Sequence, residues 1–401
     1  MLSSLAYMTR TEATGGKIKT IPEDFIVEEI LPDGTVLETN KATQRESSSG
    51  DFTRFVLQKK DWTTEEAIRR IAMALRIHPS RFSYAGSKDK TSISTQLVSV
   101  FRINEDRILR LNLKDITILG AWKCDEKVRI GDLLGNRFKI AIREIDSSAG
   151  EAVSKIHGEL NGLFPNYFGE QRFGTIRKNT HKIGEYIIRG KYREAAMSFL
   201  CDSEGETDSD SVVARNDLRE TEDYKKALRE FPNRLTLERT MLEHLEKYPN
   251  DYANAFRKLP RGILLLFIHA FQSHLFNVLL SERISEGDVV AEDGEHYCEE
   301  RHGFPDLRLR SSSETRWIAG KIIGYGTELN DREKTLLERF DLKKSDFDIK
   351  GIPEISSKGT YRLLFSPLVD FYFIDSTFRF SLCAGSYATV ALREFIDRSK
   401  S

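Results

Sequence analysis

The distribution of strand and helix signals along the chain constrains its fold more than any other feature of the sequence. Up to about residue 165, short runs rich in β-branched and aromatic residues are mixed with amphipathic helical segments. From about Phe199 to Leu342 the pattern is mainly helical, and strand signals return around Gly359. Because strands and helices do not alternate regularly, the pattern favours an α+β fold over a doubly wound sheet. We therefore predict a sheet domain that is interrupted by a helical insertion and completed by the C-terminal residues.

Several elements are predicted in enough detail to be compared with a structure. The pattern Thr63-Thr-Glu-Glu66 is a capping box, and the helix that it opens is expected to end at Pro79. Strands are predicted at residues 25–27, 52–57, 81–84, 94–103, 115–122, 136–145, 361–365 and 370–380. Further helices are predicted at residues 151–163, 221–231, 236–247, 263–286 and 331–340.

Charge, apolar runs and cysteines limit the class of protein. Lys and Arg number 61 against 62 Asp and Glu, so a nucleic-acid partner would need positive charge gathered on one face. The N-terminus lacks the basic start and apolar run of a secretory signal. The most apolar stretch, residues 263–280, contains His269 and Gln272, which predicts a buried helix rather than a membrane span. Scattered cysteines without a Cys-x-x-Cys pair favour a reducing, cytoplasmic setting.

The sequence predicts neither a metal nor a cofactor. The segment from His296 to His302 contains Cys298 between its two histidines, but a tetrahedral zinc site needs a fourth ligand. A polar surface loop is the favoured interpretation of this segment. The sequence contains no Gly-x-Gly-x-x-Gly and no His-Glu-x-x-His motif.

A turn between two predicted strands carries the first candidate for chemistry. Asp89 lies between Lys88 and Lys90 in the segment Tyr84-Ala-Gly-Ser-Lys-Asp-Lys-Thr-Ser92. Flanking ammonium groups favour the ionised carboxylate, which a nucleophile or a base needs near neutral pH. A solvated hairpin tip is the plainer interpretation. A serine acyl enzyme that uses Ser87 and Lys90 is a weaker alternative, because its partner motifs are missing.

The segment Asn166-Tyr-Phe-Gly-Glu-Gln-Arg-Phe-Gly174 resembles a loop that handles a nucleic-acid base. Its aromatic rings could stack on an extruded base, and its amides could recognise the base edge. Between Arg172 and Arg193 the chain has seven Lys or Arg residues against one acid. Arg177, Lys178 and Lys182 are therefore candidates for contacts with an RNA backbone. An aromatic turn followed by an amphipathic surface helix explains the same composition.

The segment Cys383-Ala-Gly-Ser-Tyr-Ala-Thr-Val-Ala-Leu-Arg-Glu394 is predicted as a strand end, a tight turn and a helix start. Amide groups exposed at such a turn could bind a phosphate or a base. Taken alone, a structural turn is the simpler interpretation.

Five motifs, taken in their order, resemble the TruD family of tRNA pseudouridine synthases. The motifs are Lys19-Thr-Ile-Pro-Glu-Asp-Phe25, Ala85 to Lys90 with Gln96 after it, Asn166 to Gly174, Phe271 to Asn277, and Gly385 to Glu394. They cover nearly the whole chain, and the nine-residue motif that begins at Asn166 is complete. The resemblance implies a pseudouridine synthase fold, which is an α+β core around a central antiparallel sheet. It also implies a catalytic domain at residues 1–190 and 356–401, with a mainly helical insertion at residues 191–355.

The resemblance further implies a reaction and a set of site residues. The family isomerises a uridine in RNA to pseudouridine, usually at position 13 of tRNA, and needs no cofactor and no metal. Asp89 matches the family's catalytic acid, which acts either as a nucleophile or as a base. The residues that match substrate-binding positions are Lys19, Asn166, Phe168, Gln171, Arg172 and Tyr387. Tyr387 stands where bacterial relatives carry phenylalanine, which leaves the role of its hydroxyl open.

The expected partner is tRNA, and we expect neither a membrane nor an obligate protein partner. The alternative to an isomerase is a non-catalytic RNA-binding protein or RNA chaperone on the same fold. The presence of Asp89 beside an intact aromatic motif argues against that alternative.

Overall fold

The computed structural model describes residues 2–146, 149–287 and 290–396. Within these residues the strands are β1 (Phe25–Ile30), β2 (Phe52–Lys60), β3 (Phe82–Tyr84), β4 (Ile93–Phe101), β5 (Ile116–Cys124), β6 (Gly135–Ala141), β7 (Leu163–Pro165), β8 (His296–Arg301), β9 (Phe304–Arg310), β10 (Ile318–Ile322), β11 (Thr360–Leu363), β12 (Phe365–Pro367), β13 (Val369–Ile374) and β14 (Thr377–Cys383). The α-helices are α1 (Thr64–Leu75), α2 (Glu105–Leu109), α3 (Ala149–Leu160), α4 (Thr180–Ile188), α5 (Tyr192–Cys201), α6 (Ser209–Thr221), α7 (Tyr224–Glu230), α8 (Thr236–Lys247), α9 (Tyr252–Arg257), α10 (Arg261–Glu286), α11 (Asp331–Arg339) and α12 (Ala388–Ile396).

The chain divides into two compact units. The helical unit comprises the N-terminal residues to Tyr7 together with Tyr167–Glu299 and Leu307–Leu364. The sheet unit comprises Met8–Asn166, Glu300–Asp306 and the residues from Phe365 onward. The domain boundaries predicted from the sequence at residues 190 and 355 stay a prediction.

An eight-stranded sheet forms the centre of the sheet unit. Its strands lie in the order β13-β14-β6-β1-β4-β2-β5, and β3 also pairs with β4. β1 runs parallel to β4, whereas the other neighbouring pairs among the described strands are antiparallel. The predicted α+β class is therefore confirmed, and the central sheet is mixed rather than wholly antiparallel.

The helix α1 shows how local sequence and packing act together in this unit. The Thr63 side chain accepts from the Glu66 amide, and the Glu66 carboxylate accepts from the Thr63 amide, as the predicted capping box requires. The helix ends at Leu75, four residues before Pro79, because Arg76 adopts the left-handed conformation with φ of 57°. Its buried face packs on inward-facing apolar residues of the sheet. Each large apolar side chain buried there contributes roughly 1.5–3 kcal/mol.

The long helix α10 lies in the core of the helical unit, as predicted for residues 263–286. Among the described residues it is the one helix long and apolar enough to cross a membrane, and 67% of its most apolar 18-residue window is buried. α4 approaches it closely at Gly184, where a Cβ atom would lie 2.0 Å from the carbonyl oxygen of Phe267. A glycine is therefore needed at the crossing of these two helices.

A four-stranded sheet has the order β11-β10-β8-β9. β11 agrees with the strand predicted at residues 361–365, whereas β8, β9 and β10 lie in a region where the sequence predicted mainly helices. The strand β8 has the sequence HYCEER, in which apolar alternation is weak. The strand β9 has the sequence FPDLRLR, which alternates from Asp306 to Arg310 but leaves Leu307 and Leu309 exposed.

The segment that begins at His296, predicted as a polar surface loop, is instead the strand β8 with Cys298 buried. β8 and β9 are neighbours in the chain and in the sheet, and β8 also pairs with β10 about 20 residues further on. Pairing with β10 and β11 adds to the hairpin a contribution that the pattern of β8 alone does not reveal.

Candidate active site

The turn that carries Asp89 lies at a break in strand pairing within the sheet unit. β1 pairs with residues Ile93 to Thr95 of β4, and β3 pairs with Val98 to Val100 along the strand. Between these two regions the amide of Leu97 donates to the carboxylate of Glu29 over 3.0 Å. A side chain thus replaces the missing strand partner, and the turn from β3 to β4 fills the gap.

Asp89 forms an ion pair with Lys19. The Lys19 Nζ lies 2.6 Å from Asp89 Oδ2, and the two side chains are 20% and 39% exposed. The same ammonium group lies 4.2 Å from the centre of the Phe25 ring, which adds a cation–π contact. An ammonium group at this distance forms a charge-assisted hydrogen bond with the carboxylate. The structure therefore brings together two of the residues that the family resemblance implied.

Side chains from three neighbouring elements fix the main chain of this turn. The carbonyl oxygen of Asp89 accepts hydrogen bonds from Lys59 Nζ and Ser92 Oγ, each at 2.8 Å. The Lys88 amide donates to Thr64 Oγ1 over 2.9 Å, at the first residue of α1. Gln96 Nε2 donates to the carbonyl oxygen of Gly86 over 3.1 Å. Asp89 is therefore presented by a rigid turn rather than by a solvated hairpin tip.

The two lysines next to Asp89 in sequence do not share one role. Lys88 is buried and forms an ion pair of 3.0 Å with the buried carboxylate of Glu29, whereas Lys90 is exposed. The sequence left two candidates for the ion-pair partner of Asp89, namely its flanking lysines and Lys19. The ion-pair geometry supports Lys19, whose Nζ contacts the carboxylate.

Lys59 is a site residue that the sequence analysis missed. It lies on β2 and is fully buried. Burial lowers the pKa of Lys59 from the ordinary 10.5 to about 8, and the charge of Asp89 opposes part of this shift. A signal was available in the sequence, because Phe55, Leu57 and Lys59 alternate along the strand and share its inward face.

The Ser87 hydroxyl donates a hydrogen bond to the Glu65 carboxylate. A serine nucleophile would need a base as its hydrogen-bond partner. The partner of the Ser87 hydroxyl is thus a carboxylate at the start of α1 and not Lys90, which gives no support to the acyl-enzyme alternative.

Phe168 is held by a network within the helical unit. Its amide donates to Asn277 Oδ1 over 2.8 Å, and Asn277 Nδ2 donates back to its carbonyl oxygen over 3.0 Å. The guanidinium carbon of Arg362 lies 4.0 Å from the centre of the Phe168 ring, and Phe276 packs edge-on at 5.6 Å. This geometry explains why the motif that ends at Asn277 accompanies the motif that begins at Asn166. No local signal in the sequence pointed to Arg362.

The remaining predicted substrate-binding residues are distributed over both units. Arg172 lies 5.3 Å from the Phe168 ring centre and donates to Ser273 Oγ, while Gln171 is exposed in the same helical unit. Asn166 is buried in the sheet unit, and Tyr387 is partly exposed there, directly before α12. Their roles in binding stay predictions.

The three candidates for RNA-backbone contacts differ in their environment. Arg177 is mostly buried and donates to the carbonyl oxygen of Phe199 over 2.6 Å, and burial lowers its pKa. Lys178 is exposed and pairs with Glu170 at 2.8 Å, and Lys182 is exposed. The contacts of Arg177 are those of a residue that stabilises the fold, so the exposed lysines are the better candidates for phosphate binding.

Among the described residues, no group of three or more His, Cys, Asp or Glu side chains is placed to hold a metal ion. The carboxylates of Asp89 and Glu29 in this cluster are each paired with a lysine ammonium group.

Comparisons with known proteins find matches over nearly the whole chain. A sequence model of the family described as tRNA pseudouridine synthase D (TruD) matches residues 1–395. A protein named "Probable tRNA pseudouridine synthase D" from Methanosarcina acetivorans is 33% identical over 427 residues, covering 97% of this chain and 94% of that protein. A relative of the same name from Methanopyrus kandleri is 38% identical, covering 86% of each chain. The crystal structure of a TruD protein from Methanosarcina mazei matches with a TM-score of 0.77 and 31% identity, covering 98% of this chain and 95% of that chain.

The fold and these matches define the class of protein as a pseudouridine synthase, an isomerase that converts uridine to pseudouridine. Within that class, the chain belongs to the TruD family. The family resemblance found in the sequence motifs is thereby confirmed.

Proposed function

We propose that this protein isomerises a uridine of tRNA to pseudouridine and that Asp89 is the catalytic carboxylate. Relatives of closely similar length carry the name tRNA pseudouridine synthase D, which supports tRNA as the substrate. The observation that carries the assignment of Asp89 is its ion pair with Lys19 on a turn fixed by hydrogen bonds. Position 13 is the expected uridine, because it is the usual substrate of the family.

The chemistry needs an ionised carboxylate at the ribose. The bond from ribose C1′ to N1 of the uracil breaks, the base turns, and C1′ joins C5. The base loses the proton from C5 and gains one at N1, so the reaction is redox-neutral and transfers no group to a cofactor. Asp89 either attacks C1′ or removes a proton from the ribose, and Lys19 holds the carboxylate that both routes require.

Phe168 is proposed to pack against the target base. Extruding a nucleotide from folded RNA costs a few kcal/mol, and base–aromatic stacking returns about 1–3 kcal/mol. Arg362 and Asn277 hold the Phe168 ring and main chain in one orientation. A ring that is ordered before RNA binds loses little conformational entropy in the complex.

The variant Asp89→Asn tests the proposal. Release of tritium from tRNA that carries [5-³H]uridine reports the reaction, because the C5 hydrogen leaves when C5 joins the ribose. We expect the single-turnover rate constant of Asp89→Asn to fall by roughly 10²–10⁴-fold or more, while tRNA affinity is largely kept. Asp125→Asn, which changes an exposed carboxylate of the same unit, is the matched control. Substantial turnover by Asp89→Asn would falsify the assignment of this carboxylate.

A further inference from the structure

Lys59 is a fully buried residue whose ammonium group contacts the main chain of the proposed catalytic residue, because its Nζ lies 2.8 Å from the carbonyl oxygen of Asp89. Its neighbours on the inward face of β2 are Phe55 and Leu57, which belong to an apolar core. Burying an ammonium group is costly, and an apolar side chain would fill this position at lower cost. The hydrogen bond that Lys59 donates ends on the carbonyl oxygen of Asp89. We therefore attribute the charge at position 59 to its contact with Asp89 and not to the packing of the sheet.

The other charged groups around Asp89 have partners of their own. Lys19 pairs with the Asp89 carboxylate, and Lys88 pairs with the buried Glu29. Glu65 and Glu66, at the start of α1, also attract the Lys59 charge, while Lys88 repels it. Lys59 thus binds the main-chain carbonyl oxygen of Asp89, while Lys19 binds its carboxylate.

We propose that Lys59 is a positioning residue for the isomerisation: its charged form holds the turn at Asp89 and adds positive charge near the reacting carboxylate. This inference rests on the proposed function, because it assumes that Asp89 acts on the ribose. Preorganised groups around a reacting atom are a main source of catalysis, and a shift of about 1 Å can change a rate roughly 10²-fold.

The charge state of Lys59 gives this role a signature in the pH dependence. Because burial lowers the pKa of Lys59 to about 8, the ammonium group loses its proton as the pH rises through that value. A rate that depends on the charged form is complete below pH 8 and declines above it. The same pKa shift changes the free energy of unfolding in the opposite direction, so that stability increases where the rate declines. Between pH 8 and 10.5 the unfolded chain binds more protons at Lys59 than the folded chain, so stability rises with pH.

The experiment compares single-turnover rate constants from pH 6.5 to 9.5 for the wild type and the variants Lys59→Met, Lys59→Arg and Lys60→Met. Lys60 follows on the same strand, is partly exposed and pairs with Glu23, so Lys60→Met is the matched control. We expect Lys59→Met to lose about 10- to 100-fold in rate at pH 7 with unchanged tRNA affinity, and to lack the decline above pH 8. Arginine stays charged throughout this range, so Lys59→Arg should keep more activity than Lys59→Met and should also lack the decline. Any titration of the RNA is common to all variants.

A Lys59→Met rate and pH profile equal to those of the wild type and of Lys60→Met would overturn the proposal. If Lys59→Met fails to fold, the pH profiles of the wild type and Lys59→Arg test the proposal. A decline in the rate constant near pH 8 in both proteins would show that a group other than Lys59 causes it, which would overturn the proposal. These outcomes differ from a failure of the proposed function. In that case the wild type forms no pseudouridine, or Asp89→Asn retains activity.

Discussion

Replacing Lys59 by methionine should make the folded protein more stable while reducing its activity. The fall in pKa from 10.5 to about 8 corresponds to about 3 kcal/mol that the charged form costs the folded state, at about 1.4 kcal/mol per unit. Methionine is apolar, has a similar length and suits a position beside Phe55 and Leu57. The hydrogen bond to Asp89 is lost, but Ser92 Oγ still donates to the same carbonyl oxygen, so the loss is about 1 kcal/mol. The expected net gain in the free energy of unfolding at neutral pH is about 2 kcal/mol.

The gain in the free energy of unfolding should become smaller as the pH rises. It is fully present below pH 8, where the folded wild type carries the buried charge. It declines as the pH rises towards 10.5, because wild-type Lys59 is then neutral in the folded state. A gain that grows with pH, or a loss of stability at pH 7 relative to the wild type, would contradict this electrostatic explanation.

Urea unfolding followed by tryptophan fluorescence is the appropriate measurement. Trp62 and Trp122 lie in the sheet unit and Trp317 lies in the helical unit. A Trp317→Phe background therefore makes the signal specific to the unit that contains Lys59. Lys60→Met in the same background controls for loss of an exposed charge, and a surface ion pair is worth about 0–1 kcal/mol.

Three further predictions concern the helical unit. Asn277→Asp should lower the free energy of unfolding of this unit by about 3 kcal/mol, because the aspartate cannot donate to the buried carbonyl oxygen of Phe168. Urea unfolding monitored at Trp317 measures this loss, and the exposed Asn216→Asp is its control; equal stabilities would refute the argument. Lys182→Gln should reduce the slope of log affinity for tRNA against log salt by about one unit if it contacts a phosphate. Arg177→Gln should instead lower stability, and an unchanged melting temperature for it would contradict its structural role.

The sequence predicted best those elements whose signals are local. The helix predicted at residues 236–247 has the same bounds as α8, and the capping box at Thr63 forms as expected. Residues 370–380 were predicted as one strand, but the structure has two antiparallel strands, β13 and β14, joined by a turn at Asp375 and Ser376. The strand β8 was missed because charged residues occupy both of its faces, and β9 was missed although Asp306 to Arg310 alternate with period two. A segment of that kind becomes a strand only when its partners are in place.

The sequence by itself determined the order of the motifs, and with it the family, the class of reaction and the identity of Asp89 as the candidate carboxylate. Capping, helical periodicity and turn residues act between neighbours in the chain, so they can be recognised without a structure. Only the tertiary structure decided that Lys19, 70 positions away, binds the carboxylate of Asp89, and that Lys59 binds its main-chain carbonyl oxygen. Likewise, only the fold brings Arg362 onto the ring of Phe168. Burial and charge at these points arise from pairing and packing between distant segments, and such contacts have no local signature in the chain.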